Sequence, residues 1–536
     1  MTGEKNMQNN KGMTRRAFLG LAGSTAVLAG LGLSGCGGSS ASSTTSSTTT
    51  SSEAKGGGTL TAAVAYETKN YHPSTTSSAL ALGANWHVVE GLYEFDMHTM
   101  ETYDALASGD PTKVSDTEYT IAMRSGAKFS DGTDVTADDV VSSFKRSTAE
   151  GSLYTSMLAF ISDMTAKDSS TVDLQLAYAM DPTLIKKRLC IVKVVPTSAT
   201  DDALTSKPVG SGPWMYDSID EKTIVFKPNT NYNGSVSVKD NEMDWSIIKD
   251  DTARTTAMNE GTVMVMESVP ADVADQIKSA GAEVDEVQGF NLPFLMFNTK
   301  KAPFDNYQVR QAFFYAIDMD KLISNAMSGK ATAASCFLPE THTNYHKAAT
   351  VFTYDTAKAK QLIDDAGASG TQVELITTDH TWITALAPQI KNDLEAIGLS
   401  VTINSMASSS LYSNYTDVDA PDFDVALAPG DPSVFGDDPD LLMNWWYGDN
   451  TWTKKRTQWK DSDKYTELHG YMQKAVESTG TEQQDNWNQC FDLLAEQVPL
   501  YPLFHRIVAT GYYADKISNF AGIGTTGVDL VGCVSK

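Results

Sequence analysis

Phe297-Asn-Thr-Lys-Lys-Ala-Pro-Phe-Asp305, followed by Val309-Arg-Gln-Ala312 and Tyr315-Ala-Ile-Asp318, is the stretch from which the fold is read. Val309, Ala312, Phe313, Ala316 and Ile317 recur at i, i+3, i+4, i+7 and i+8, one face of an amphipathic helix. The same spacing returns at Ala359, Leu362, Ile363 and Ala366, with Asp355 placed as N-cap and Gly367 as stop. Ile390, Leu394 and Ile397 form another helix after Pro388, closed by Gly398 and followed by the strand Val401-Thr-Ile403. Trp487, Cys490, Phe491 and Leu494 predict a late helix ending before Pro499. Upstream, Thr136-Ala-Asp-Asp139 is a capping-box pattern ahead of Val140, Val141 and Phe144. Residues 58–65 alternate like a half-buried strand. Strands thus alternate with helices and the chain reads as α/β, with no short internal repeat.

Composition narrows the function. The 536 residues are 41% hydrophobic and 20% charged, a globular balance that allows two to four structural domains. With Lys+Arg 41 against Asp+Glu 67, the formal net charge of -26 disfavours nucleic acid as a partner. Five Cys make neither a disulfide scaffold nor a zinc-ribbon array.

Six motifs in one order resemble a known family. Phe129-Ser-Asp-Gly-Thr-Asp-Val-Thr-Ala-Asp-Asp-Val140 is similar to the "F-x-D-G-x-x-x-T-A-x-D-V" segment of the large solute-binding proteins of peptide-class ABC importers, extracellular solute-binding protein family 5. Gly210-Ser-Gly-Pro-Trp214 resembles that family's "G-T-G-P-Y" turn, and residues 297–318 its "F-N-x-x-x-x-P-F…V-R-x-A…A-I-D" segment. Tyr354-Asp-Thr-Ala-Lys-Ala-Lys360 matches its "Y-D-P-x-K-A-K" helix with Thr356 in place of proline, Ile397-Gly398 a helix end, and Val498-Pro-Leu-Tyr-Pro502 a late crossover strand. The resemblance implies a two-lobed periplasmic-binding-protein-like fold of type II, in the large cluster with an extra inserted subdomain and two hinge crossings. Lobe I would comprise residues 59–95, 206–292 and 500–536, the inserted subdomain 96–205, and lobe II 293–499. Ligand would bridge the lobes and favour a closed form that the permease and its ATPases recognise. A monomer is expected.

The amino terminus reads as an address and a tether. Arg15 and Arg16 precede an apolar Gly/Ala-rich run from Ala17 to Leu33, which resembles a twin-arginine export signal. Leu33-Ser34-Gly35-Cys36 resembles a lipobox, so residues 1–35 would be a signal peptide and Cys36 the lipidated first residue of an extracytoplasmic, membrane-anchored protein. Residues 36–58 are a linker in which 13 of the 14 residues from Ser39 to Ser52 are Ser or Thr. Such a coil holds its cargo roughly 25 Å from the membrane. Removal of the signal leaves 37 basic and 66 acidic residues, so lipid rather than charge would provide the attachment.

No residues organise catalysis. The eight His are dispersed, and there is neither a Gly-x-Ser-x-Gly elbow nor a Cys with a His partner by motif. His342 and His346 have the spacing of a helical zinc pair but lie in a Pro/Thr/Asn-rich stretch without the Glu of H-E-x-x-H. The run Asp437-Asp438-Pro-Asp440 is broken by Pro439 and is no calcium loop, and Gly210-Ser-Gly-Pro lacks the Lys of a phosphate cradle. The expectation is a binding protein, not an enzyme, without metal or cofactor. A tethered extracellular hydrolase is the rival, and nickel chelates or oligosaccharides are alternative solutes.

The resemblance also nominates a cleft. Peptide binders of the family carry an Asp after a strand reading "D-V-x-x-x-G-W" that pairs with the ligand ammonium. Phe423-Asp-Val-Ala-Leu-Ala-Pro-Gly-Asp431 fits, with Pro429-Gly430 in place of Gly-Trp, so Asp431 and Gly430 take those positions. Read without the resemblance, Asp431 is equally a turn-forming residue before Pro432. Tyr71-His72-Pro73 stands where the family has a turn, which places Thr76, Ser77 and Ser78 toward the cleft. Dipeptide binders hold the ligand carboxylate with an Arg at a position that here reads His380-Thr-Trp-Ile-Thr384, without Arg, so loosely held carboxyl ends and longer peptides are expected. Trp382, Trp445, Trp446 and Trp452 are candidates for side-chain pockets or for core. Cys190 and Cys490 read as buried thiols, whereas Cys336 and Cys533 leave pairing open.

Overall fold

A computed structural model describes residues 56–150 and 152–536. Arg15, Arg16, Cys36 and the linker up to residue 55 lie outside the described residues.

Three principal sheets organise the chain. The largest has eight strands. Seven run in the order Glu283–Gln288, Phe504–Tyr512, Val265–Met266, Thr59–Val64, Glu242–Ile247, Thr223–Pro228 and Trp214–Ile219, and Ala331–Ala333 also pairs with Phe504–Tyr512. Thr59–Val64 lies parallel to Glu242–Ile247, with Thr59 opposite Glu242. A five-stranded sheet orders Ser400–Met406, Gln372–Thr378, Val425–Gly430, Leu292–Phe297 and Leu500–Pro502. Leu292–Phe297 is buried at every position, as its unbroken apolar run requires of a strand with both faces covered. Apart from the excursion of Ala331–Ala333, the chain passes between these two sheets twice, from Gln288 to Leu292 and from Pro502 to Phe504. The two passages are laced together: Arg506 N donates to Asn291 O (2.7 Å), and Leu503 N to Pro293 O (2.9 Å). A four-stranded antiparallel sheet, Thr112–Lys113, Glu118–Ala122, Thr171–Leu176 and Ile161–Asp168, sits in the insertion and packs against the helix Ala137–Ser147.

The helix signals are met by real caps. Thr136 N donates to Asp139 Oδ2 (2.9 Å), the reciprocal half of the capping box. Asp355 accepts from Lys358 N (2.9 Å) at the start of Thr356–Asp365, and Gly367 and Gly398 take φ of +65° and +95° after their helices. Arg310, in the helix Tyr307–Ala316, is buried and donates to Phe304 O (2.7 Å) and Gln497 O (2.9 Å), while Asp318 caps Met319–Met327. Both are fold residues. Gly210 is a close-approach glycine: a Cβ there would meet Val88 O at 2.1 Å, which accounts for the Gly-Ser-Gly turn without any anion. No described helix is long and apolar enough to cross a membrane.

The insertion is sewn to the segment that follows Asp431. Arg188, its side chain 1% exposed, donates to Asp438 (2.8 Å) and faces Asp440 (3.1 Å). Lys187 pairs with Asp437 (2.6 Å), and Ser156 Oγ donates to Asn444 O (3.0 Å). Tyr154 and Phe435 meet edge to face at 5.2 Å. The acidic run 437–440 thus has a structural use. His342 accepts from Asn344 N (3.0 Å) and lies 2.8 Å from Asp437 O, while His346 faces Asp492 (3.3 Å), so the two rings serve different neighbours. Cys190, Cys336 and Cys490 are buried free thiols, and Cys533 is buried as well.

Candidate functional site

The side chains that meet beside the two passages come from six separate segments. Strand Thr59–Val64 delivers Tyr66, the first passage Asn291, and the end of strand Gln372–Thr378 leads to His380 and Trp382. Strand Val425–Gly430 ends at Asp431, and strand Phe504–Tyr512 carries Arg506, with the loop 525–526 closing over them. Tyr66 and His380 bring their rings to 5.8 Å, so the two sheets' loops touch here.

Asp431 sits at the N-terminus of the short turn Pro432–Phe435 and caps it. Its Oδ1 accepts from Ser433 N (3.1 Å) and from the Ser433 hydroxyl. Its Oδ2 accepts from Thr526 N (2.7 Å), Thr526 Oγ1 (2.8 Å) and Thr525 Oγ1 (3.2 Å). A carboxylate has about four lone-pair sites, so in this arrangement Asp431 is saturated, with Oδ2 turned to residues 525–526 of the opposite side. Burial raises its pKa, and the bonds from Ser433 and Thr526 pull against that shift. Asn291 extends the chain of contacts, donating to Thr526 Oγ1 (2.7 Å) and accepting from Arg506 Nη1 (3.3 Å).

The remaining nominated residues are distributed unevenly. Trp382 is half-buried and lies under the Arg506 guanidinium, 4.1 Å from its Cζ. Gly430 opposes Leu292, and a Cβ there would meet the Trp446 ring at 2.3 Å, so glycine lets Trp446 pack against the strand end. Thr76 is buried within its own loop, donating to Asn70 O (2.8 Å) and accepting from Ser78 N (3.2 Å). Ser77 is exposed, and Ser78 stands at the N-cap of the helix Ala79–Val88. Trp445, Trp446 and Trp452 are core residues. A separate cavity of about 20 Å³, lined by Trp86, Phe95, Met97, Tyr154 and Phe435 among others, has room for about one water and no solute.

Several members of the site carry no sequence signal of their own. Tyr66 is pushed up to about 12 by burial and stays neutral. Glu267 is buried and accepts from Ala65 N (2.7 Å). Burial lowers the pKa of His380, which keeps that ring neutral too. Arg506 supplies the positive charge that the stretch His380–Thr384 lacks, arriving from a strand more than a hundred residues later. The site brings together two carboxylates, Asp431 and Glu267, one guanidinium, and the rings of Tyr66, His380 and Trp382.

The family model described as bacterial extracellular solute-binding proteins, family 5 Middle, matches residues 101–453, more than half of the chain. The chain is similar to the probable D,D-dipeptide-binding periplasmic protein DdpA of Escherichia coli, with 26% identity over 402 residues, 70% of this chain and 75% of that relative. Heme-binding protein A of Haemophilus influenzae is 29% identical over 311 residues, and the match spans 52% of this chain and 56% of that relative's length. Among solved structures, the ABC transporter-associated periplasmic binding protein DppA from Helicobacter pylori, in complex with the peptide STSA, superposes with a TM-score of 0.79 at 21% identity, covering 90% of this chain and 98% of that one. That likeness fixes the two-lobed periplasmic-binding-protein fold. The protein belongs to the bacterial extracellular solute-binding proteins, family 5.

Proposed function

We propose that this protein captures peptides between its two lobes outside the cytoplasm and hands them to the permease of an ABC importer. The observation that carries the reading is the carboxylate of Asp431, held at a strand end where loops of both lobes meet. An entering ammonium would displace the Thr525 and Thr526 hydroxyls from Oδ2 and keep the Ser433 cap on Oδ1. That exchange swaps neutral donors for a charged one, the stronger hydrogen bond. Relatives that bind dipeptides or peptides support the same solute class.

Mass spectrometry of material released by denaturing the purified protein is expected to find peptides. Adding such a peptide back should raise the melting temperature, because it binds only the native cleft, and should reduce the radius of gyration in small-angle scattering. Stabilisation without compaction would argue for a site on one lobe alone. Release of a non-peptide solute would replace the substrate class.

The same reading places Cys36 under lipid, with Arg15 and Arg16 directing export. Cys36→Ala is expected to move the protein from the membrane fraction to the soluble one, and Arg15→Lys with Arg16→Lys to block export. Unchanged membrane fractionation of Cys36→Ala would remove the anchor from the proposal.

A further inference from the structure

Arginine brings five N–H donors and a permanent charge, and a buried guanidinium is ordinarily matched on both counts. Six of the seven described arginines have either a facing carboxylate or bonds to several backbone carbonyls. Arg124 faces Glu90, Arg146 faces Asp201, Arg254 faces Asp251 and Arg456 faces Asp417. Arg188 has two carboxylates, and Arg310 spends its donors on the carbonyls of Phe304 and Gln497.

Arg506 does not. Its Nε, like that of Arg146, is buried without a hydrogen-bond partner, but where Arg146 faces Asp201, the Nη1 of Arg506 has a single long bond of 3.3 Å to Asn291 Oδ1. Among the described residues no carboxylate stands at ion-pair distance from it. The acidic groups whose charge reaches it are already used: Asp251 by Arg254, and Asp431 by Ser433, Thr525 and Thr526. The Tyr66 hydroxyl beside it is neutral, so it supplies an acceptor but no charge. Trp382 fixes the guanidinium plane from one face at 4.1 Å, which leaves the edge of the fork for a planar acceptor.

We propose that Arg506 binds a carboxylate of the captured peptide, bidentately, while Trp382 holds the guanidinium in plane. A carboxylate fits better than a phosphate dianion, because the charges of Asp251 and Asp431 already reach Arg506 and would repel the second charge. This rests on the peptide reading and sharpens it: a site that holds both the Asp431 carboxylate and the Arg506 guanidinium, linked through Thr526 and Asn291, selects ligands that carry both charges. It also reverses the expectation, drawn from the missing Arg near Thr384, that the carboxyl end is loosely held.

The test uses the full-length protein and three randomised tetrapeptide pools. One is a free-acid pool without Asp or Glu, the second is the same pool C-amidated, and the third is amidated but contains Glu. Apparent affinities are read from thermal shifts. Wild type should prefer the free-acid pool to the Glu-free amide by about tenfold, and Arg506→Gln should bring that ratio close to one, with Arg506→Lys between. If the Glu-containing amide recovers the preference, the side-chain carboxylate is the group Arg506 takes. Equal affinity of wild type for all three pools overturns the Arg506 assignment and leaves the peptide reading standing. No stabilisation by any pool overturns both. Should Arg506→Gln fail to fold, Arg506→Lys decides, a ratio unchanged from wild type overturning the bidentate assignment.

Discussion

Arg188→Ala is expected to lower the unfolding free energy by about 3–5 kcal/mol, seen in urea as an earlier midpoint at unchanged slope. The reason is the company it leaves behind. Asp438 is fully buried and caps the helix Pro439–Tyr447 through Asp440 N (2.8 Å), so it has no exit to solvent. Asp440, raised to about 6 by burial, has Arg188 as the cation that pulls it back. Without the guanidinium two negative charges remain in a low-dielectric seam, the costly half of a broken buried pair. The deficit should depend on pH in a definite direction. A carboxyl whose folded pKa lies above its unfolded value binds more protons when folded, so stability falls as pH rises through that window. Removing Arg188 raises Asp440 further, so the variant's deficit should be largest near pH 7 and shrink as pH falls toward 4. A loss below about 1 kcal/mol would mean that the pair is solvated and behaves as a surface bridge.

Asp431→Asn is expected to weaken peptide binding by roughly 2–5 kcal/mol if the ammonium pair is desolvated. The substitution keeps the shape and one acceptor but turns an amide toward the Thr526 N–H, which donates as well. Some of the loss therefore belongs to the protein rather than the ligand, and a cycle is needed to separate them. Acetylating the peptide amine should cost wild type heavily and the variant much less, because both changes delete one interaction. Calorimetry on the four combinations measures the coupling. Additive losses would show that Asp431 serves only to tie its turn to residues 525–526.

What the sequence made legible follows from the range of the forces involved. The helix Tyr307–Ala316, the caps at Asp355 and Thr136, and the stops at Gly367 and Gly398 are settled within one or two turns of chain, and each was readable. Asp431 was nominated through the resemblance, because the strand before it matches a family motif. Arg506 was not, because it lies in an ordinary strand, and its meaning arises only where Tyr66, Asn291 and Trp382 converge on it. Thr525 and Thr526 lie in a Gly/Thr loop that offers no signal at all until Asp431 is placed against them. The acidic residues 437–440 were read for calcium and set aside. Their partners, Lys187 and Arg188, are 250 residues earlier in the chain, and no spacing rule reaches that far.

The strand order of the larger sheet has a consequence for the chain's birth. Phe504–Tyr512 stands between Glu283–Gln288 and Val265–Met266, so among the last strands to be synthesised is one that fills the sheet's interior. Until it arrives, the earlier strands present unpaired edges to the cell, and contacts so distant in sequence form slowly. The smaller sheet has no such handicap, because all five of its strands lie between residues 292 and 502 and can assemble as a contiguous block. The nascent protein therefore spends its synthesis with one half able to fold and the other waiting, which makes the interval before the C-terminus is released the one in which a chaperone has most to cover.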